Sequence, residues 1–97
     1  MSAVENQKQH EVKTTVGYLP AARPFKKDYE SDTSLSVVRA EAMAFFEIAD
    51  YTDRDQHFFH LHFEGQRVED LGRTVGDLVG ERGKRLELEI VEQVVAG

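Results

Sequence analysis

Two groups of residues in this chain could do chemistry. The first is Ala96-Gly97, which follows Val94 and Val95 at the C-terminus. A final glycine presents a carboxylate with no side chain beside it, and it tolerates unusual backbone angles. Ala96 is also small, while β-branched Val94 and Val95 favour an extended tail. Such a carboxyl can be passed to an amine once it becomes a good leaving group. The second group is His57, His60 and His62. His60 and His62 share a strand face at i and i+2, a workable spacing for zinc, with Glu87 or Glu89 as a third ligand. Solvated strand histidines explain the spacing better, so no metal is expected. Histidines beside acids would still make binding pH-dependent.

No catalytic constellation stands out, and the chain is read as a non-enzyme. Asp50, Asp53 and Asp55 lack a calcium-loop pattern. Glu69 and Asp70 are acidic neighbours at a turn, where solvation explains them. Gly76 and Gly80 do not form a phosphate loop, because no lysine follows at the required spacing. The chain has no cysteine, which excludes disulfides, thiolate catalysis and cysteine-ligated zinc.

The 97 residues, 40% of them apolar, suffice for one domain with a modest core. The net charge of −6 argues against a nucleic-acid binder. Arg23, Lys26, Lys27, Arg82, Lys84 and Arg85 read as solvated surface. No apolar run approaches the roughly 20 residues of a membrane span, and no membrane partner is expected. The polar start lacks a signal-peptide core. Residues 1–11 read as a disordered leader, and the location reads as cytoplasmic.

The elements that would position the two groups follow from periodicity. Val12, Thr14, Val16 and Tyr18 alternate with polar residues and glycine as a half-buried strand does. Pro20 and Pro24 break it. Residues 25–29 form a short edge strand. Asp32-Thr33-Ser34 signals a helix start through a side-chain oxygen cap. The helix is predicted over 34–48, with Leu35, Val38, Ala42, Phe45 and Ala49 on its apolar stripe. Residues 50–56 form a loop. Residues 57–63 form a strand with Phe59, Leu61 and Phe63 inward and Phe58, His60 and His62 outward. A small strand over 66–68 follows the Gly65 turn. Thr74 and Asp77 form a capping box for one helical turn. In the last strand Leu86, Leu88 and Ile90 alternate with Glu87 and Glu89. The result is an α+β domain, a mixed four- to five-stranded sheet with one main helix on one face. Entry of the last strand beside the first would need a right-handed crossover between them.

This order is that of the β-grasp fold, and the chain resembles ubiquitin. Asp32, Thr33, Val38, Arg39 and Ala40 are similar to the start of its helix. Leu61, Phe63, Gly65, Val68, Glu69, Asp70, Gly72, Arg73, Thr74, Val75 and Asp77 resemble its third strand and the stretch after it, with Leu71 as an insertion. Leu86, Leu88 and Ile90 match its final strand. The resemblance implies a ubiquitin-like body over 12–91 and a free tail over 92–97, since no sheet position is expected after Val91. It implies a protein modifier, with a bacterial operon linked to antiviral defence as the expected setting. Its terminal carboxyl would be adenylated with ATP, taken as a thioester and joined to a target through Gly97, with Ala96 beside it. The partners so implied are an activating enzyme, a carrier enzyme and an isopeptidase. A ubiquitin-like module that only docks a partner is the alternative reading, and for the tail the alternative is that the valines simply prolong the last strand. A sulfur carrier is a weaker one, because its tail normally ends in two glycines.

The departures from ubiquitin bear on partners. The positions that carry its apolar reader patch hold His62, Glu87 and Glu89. With His60, these form the expected partner-binding surface, polar and acidic and suited to basic groups. The lysine that follows the Phe-x-Gly turn, a common chain-linkage site, is Gln66. The tail arginines are Val91 and Gln93.

Overall fold

The structure, a computed structural model, describes residues 10–48, 57–80 and 82–94. Of the leader expected over 1–11, residues 1–9 lie outside the described residues, as do Ala49, the loop over 50–56, Ala96 and Gly97, whereas His10 is bonded to Ser31 and Glu11 opens the first strand. The chain runs β1 (Glu11–Tyr18), β2 (Phe25–Glu30), α1 (Leu35–Phe45), β3 (His57–Phe63), β4 (Gln66–Arg67), α2 (Val75–Val79) and β5 (Arg85–Val94). The strands form one mixed sheet in the order β2-β1-β5-β3-β4. β5 is parallel to β1 and antiparallel to β3. The first and last strands therefore pair at the centre of the sheet.

Alternation along the strands sends one set of side chains under α1. Val12, Val16, Phe25, Tyr29, Phe59, Leu61, Leu86, Leu88 and Ile90 are buried there, against Leu35, Val38, Ala42 and Met43. Thr14 is the polar exception, and its hydroxyl donates to the Val12 carbonyl at 3.2 Å. That bond removes the cost of burying an unpaired hydroxyl.

The helix stripe differs from the predicted one. Phe45 is 47% exposed and Met43 is 4% exposed. The helix ends earlier than expected, at Phe45, because Glu47 turns into the left-handed region with φ 60°. Ile48 then folds back, and its amide donates to the Met43 carbonyl at 2.9 Å. Phe45 is left at the rim, stacked obliquely on Phe25 with ring centres 5.4 Å apart. Phe63 is also only half-buried.

The start of α1 corrects a second expectation. Ser34 occupies the N-cap, but its side chain makes no capping bond. Backbone carbonyls from the segment before α2 replace it. The Leu35 amide donates to Arg73 at 2.8 Å, and the Ser36 amide to Leu71 at 3.0 Å. Two of the helix's orphan donors are thus satisfied by tertiary docking. The same two segments meet again where the Gly76 amide donates to the Ser31 carbonyl at 2.7 Å. A Cβ on Gly76 would lie 2.8 Å from that carbonyl oxygen, so the approach needs glycine. For α2 the capping box is as the sequence suggests. Thr74 Oγ1 accepts from the Asp77 amide at 3.1 Å, and Asp77 Oδ2 from the Thr74 amide at 3.0 Å.

The outer edge of the sheet is tied to α1 by a polar triad. The Tyr29 hydroxyl donates to Glu41 Oε1 at 2.6 Å, and Lys27 Nζ donates to the same oxygen at 2.9 Å. Lys27 also lies over the Tyr29 ring, 5.2 Å from its centre. The Tyr29 bond, then Lys27, holds Glu41 below the usual carboxylate range. Burial first, and then Glu41, pushes the Tyr29 phenol up.

Leu88 sits in the central strand with 5% of its surface exposed, facing the helix. Leu88→Ala is expected to destabilise the fold by ~2–5 kcal/mol, the range for emptying a packed leucine site. Leu19→Ala, at a side chain 88% exposed, is expected to leave the unfolding midpoint in place. Urea denaturation of both variants checks the contrast, and equal midpoints would put Leu88 on the wrong face.

Candidate functional site

The sheet face away from α1 and the exit of β5 form the candidate site. β5 supplies both. Its even residues Leu86, Leu88 and Ile90 are buried, and its odd residues point outward. Glu89 lies in register between Gly17 of β1 and His62 of β3, and His62 faces Arg67 of β4. His60 lies opposite Val91, one step nearer the C-terminus.

The structure therefore puts His60, His62, Glu87 and Glu89 on one face but not in one cluster. His62, Glu87 and Glu89 border a shallow cavity of about 260 Å³, completed by Gly17, Glu64, Gly65 and Leu88. Gly17 makes room for it. A Cβ there would meet only the Leu88 carbonyl, at 4.0 Å. His60 belongs instead to the exit of β5, where its Nε2 lies 3.1 Å from Gln93 Oε1. Burial, then Arg67, lowers the His60 pKa below its ordinary value, with smaller contributions from Arg39 and His62. The bond to Gln93 opposes them.

Among the described residues, no group of three His, Cys, Asp or Glu side chains is placed to hold a metal ion. Also among these residues, no helix is long and apolar enough to cross a membrane.

The exit of β5 departs from expectation. The strand does not stop near Val91. It continues to Val94, paired with β3 through His60↔Val91, Phe59↔Glu92, Phe58↔Gln93 and His57↔Val94. β3 is long enough to template these residues, and α1 holds it in place. Nε and Nη2 of Arg39 both donate to the Phe59 carbonyl, at 2.9 and 2.8 Å. Arg67, Gln93 and Gly17 were not legible as parts of this face in the sequence. Each joins it through strand register, which no local pattern encodes.

No family model matches the chain, and no curated protein does. Solved structures do. A ubiquitin from Caldiarchaeum subterraneum superposes with TM-score 0.66 at 13% identity, covering 91% of this chain and all, 100%, of the other. The fold is the ubiquitin-like β-grasp. The UBL domain of yeast Ddi1 is similar with TM-score 0.62 at 12% identity, over 90% of this chain and 94% of that one. A ubiquitin-like domain from tubulin-binding cofactor B is similar with TM-score 0.52 at 18% identity, over 86% and 92%. These neighbours include a ubiquitin and domains of other proteins, and at such identities the likeness extends to the fold alone.

The depressed pKa of His60 has a consequence for stability. The unfolded chain takes up the proton first, so this contribution is complete above the free histidine value and is lost as pH falls below it. His60→Gln keeps a polar partner for Gln93 and removes the titration. From about pH 7 to about pH 5, where free histidine charges, the wild type is expected to lose more stability than the variant. Denaturation midpoints across that range check this. Parallel curves would remove His60 from the account.

Proposed function

We propose that this protein is a ubiquitin-like modifier, joined to its targets through the Gly97 carboxylate. The supporting observation is topological. The central strand of a ubiquitin-like body, β5, leads directly toward Ala96 and Gly97. In the proposed reaction an activating enzyme adenylates the carboxyl, expelling pyrophosphate. A cysteine of that enzyme displaces AMP to form a thioester. A target amine then attacks, and the thiolate leaves. The modifier contributes the carboxyl, a thin approach and a docking face, and the partner enzymes contribute the catalytic groups. An isopeptidase would reverse the attachment. A bacterial operon of the antiviral type is the setting in which we would look first.

The docking face differs from an apolar reader patch. His62, Glu87 and Glu89 ring a polar depression. Removing apolar groups from such a face costs apolar readers their burial, while basic groups gain by electrostatic complementarity.

A second reading has its own support. Ubiquitin-like domains from Ddi1 and tubulin-binding cofactor B share the fold, so the body can serve as a module that docks without being attached.

Removing Gly97 separates the two readings. The deletion leaves Ala96 at the terminus, with a methyl beside the reacting carbon. A displacement of about 1 Å at a reacting centre can cost on the order of 10²-fold in rate. Tagged full-length and Gly97-deleted chains, each expressed with the neighbouring genes, are compared on denaturing gels. Higher-mass species are expected from the full-length chain only, with the melting curve unchanged by the deletion. Absence of adducts from both chains, together with a non-covalently bound partner, would establish the docking module instead.

A further inference from the structure

Toward the start of β5 the same sheet face changes character. Lys13 of β1 lies in register between Asp28 of β2 and Arg85 of β5. Two residues on, Thr15 lies between Lys26 of β2 and Glu87 of β5. Alternation places all six on the face away from α1. Lys13, Lys26 and Arg85 are exposed. None of the three forms an ion pair among the described residues, although acids stand beside them in the register. Like charges abreast on paired strands repel, as Lys13 and Arg85 must. Thr15 is short, and the long side chains around it enclose a depression of about 310 Å³. In a chain with net charge −6, Lys13, Lys26 and Arg85 outnumber Asp28 and Glu87 here, which leaves this end of the face with a local positive excess.

We propose that this depression docks an extended acidic segment of a partner protein, with carboxylates at alternate positions. Two residues of an extended strand span about 7 Å. That matches the offset between the row of Lys13 and Arg85 and the row of Lys26. A segment lying along the strands sets one carboxylate between Lys13 and Arg85 and the carboxylate two residues on toward Lys26. The Thr15 hydroxyl offers a further donor between them. Asp28 and Glu87 stand at opposite corners and repel a chain that is acidic at every position, which favours alternation. The acidic depression around Gly17 lies further along β1 and β5, so the two ends of the face select opposite charges. The inference holds whether the protein is conjugated or only docked.

The test is a titration of the full, nitrogen-15-labelled chain with the peptide acetyl-Gly-Glu-Val-Glu-Gly-amide. A lysine version of the peptide and inorganic phosphate are the comparison probes. Saturable amide shifts are expected at residues 13, 15, 26 and 85 with the glutamate peptide alone. Affinity should fall about tenfold or more on raising salt to about 0.5 M, where screening lengths shrink below the contact spacing. The double variant K13E/R85E should lose the response while its remaining spectrum and melting temperature are retained. Lys26→Glu alone should weaken it. The proposal is overturned by no saturable shifts, by equal shifts with the lysine peptide, or by binding that survives K13E/R85E. Saturation by phosphate at the same concentrations would also overturn it, by reducing the site to a general anion patch.

Discussion

The parallel pairing of β1 with β5 is the constraint on which the rest of the molecule depends. It joins the first strand of the domain to the last, so the core closes only after nearly the whole chain is in place. Thr14↔Leu86, Val16↔Leu88 and Tyr18↔Ile90 align two inward rows under the helix, buried except for the half-buried Tyr18. Such non-local pairing carries a loop-closure cost before any contact repays it. Burial of Leu86, Leu88 and Ile90, each 5% exposed or less, supplies the return. The strand that closes the core also sets the charge of the outer face and runs on to Val94.

A second contact region fixes the helix to this sheet. Residues 31–36 and 71–76 exchange backbone bonds at Ser31, Thr33, Leu35 and Ser36. His10 extends the same junction. Its amide donates to Ser31 Oγ at 3.1 Å, and its ring contacts the Gly83 carbonyl. The start of β1, the entry to α1 and the approach to β5 thus meet at one end of the domain. Ordering them together limits how far the central strands can shift in register.

Much of the fold was legible in the sequence because its signals are local. The alternation in 86–90, the Thr74–Asp77 capping box and the spacing of Leu35, Val38 and Ala42 each depend on neighbours a few residues away. What was missed depends on distant ones. The Leu35 and Ser36 amides bond to Arg73 and Leu71, so no local cap was needed, and Ser34 could not reveal that. Helical spacing puts Phe45 on the stripe. The left-handed turn at Glu47 and the return of Ile48 leave Phe46 half-buried and Phe45 at the rim. The length of β5 follows from β3, whose residues 57–60 pair with 91–94. On the outer face the outward direction of His60, His62, Glu87 and Glu89 was readable from period two. Their separation into an acidic depression and a β5 exit was not, because Gly17, Arg67 and Gln93 enter only through cross-strand register.

β5 carries a closing row of apolar side chains inside and a charged row outside, and in the proposed function it also delivers the terminal carboxyl. That proposed delivery is the central claim, and a mass spectrum tests it most directly. Digestion after glutamate cuts behind Glu92 and leaves residues 93–97 attached to whatever the carboxylate has acylated. Tagged protein, purified under denaturing conditions from cells expressing the neighbouring genes, is digested in this way. The account predicts branched peptides in which residues 93–97 are amide-linked to an amine of another protein, most simply a lysine side chain. Recovery of that segment only as a linear peptide with a free Gly97 carboxylate would contradict it.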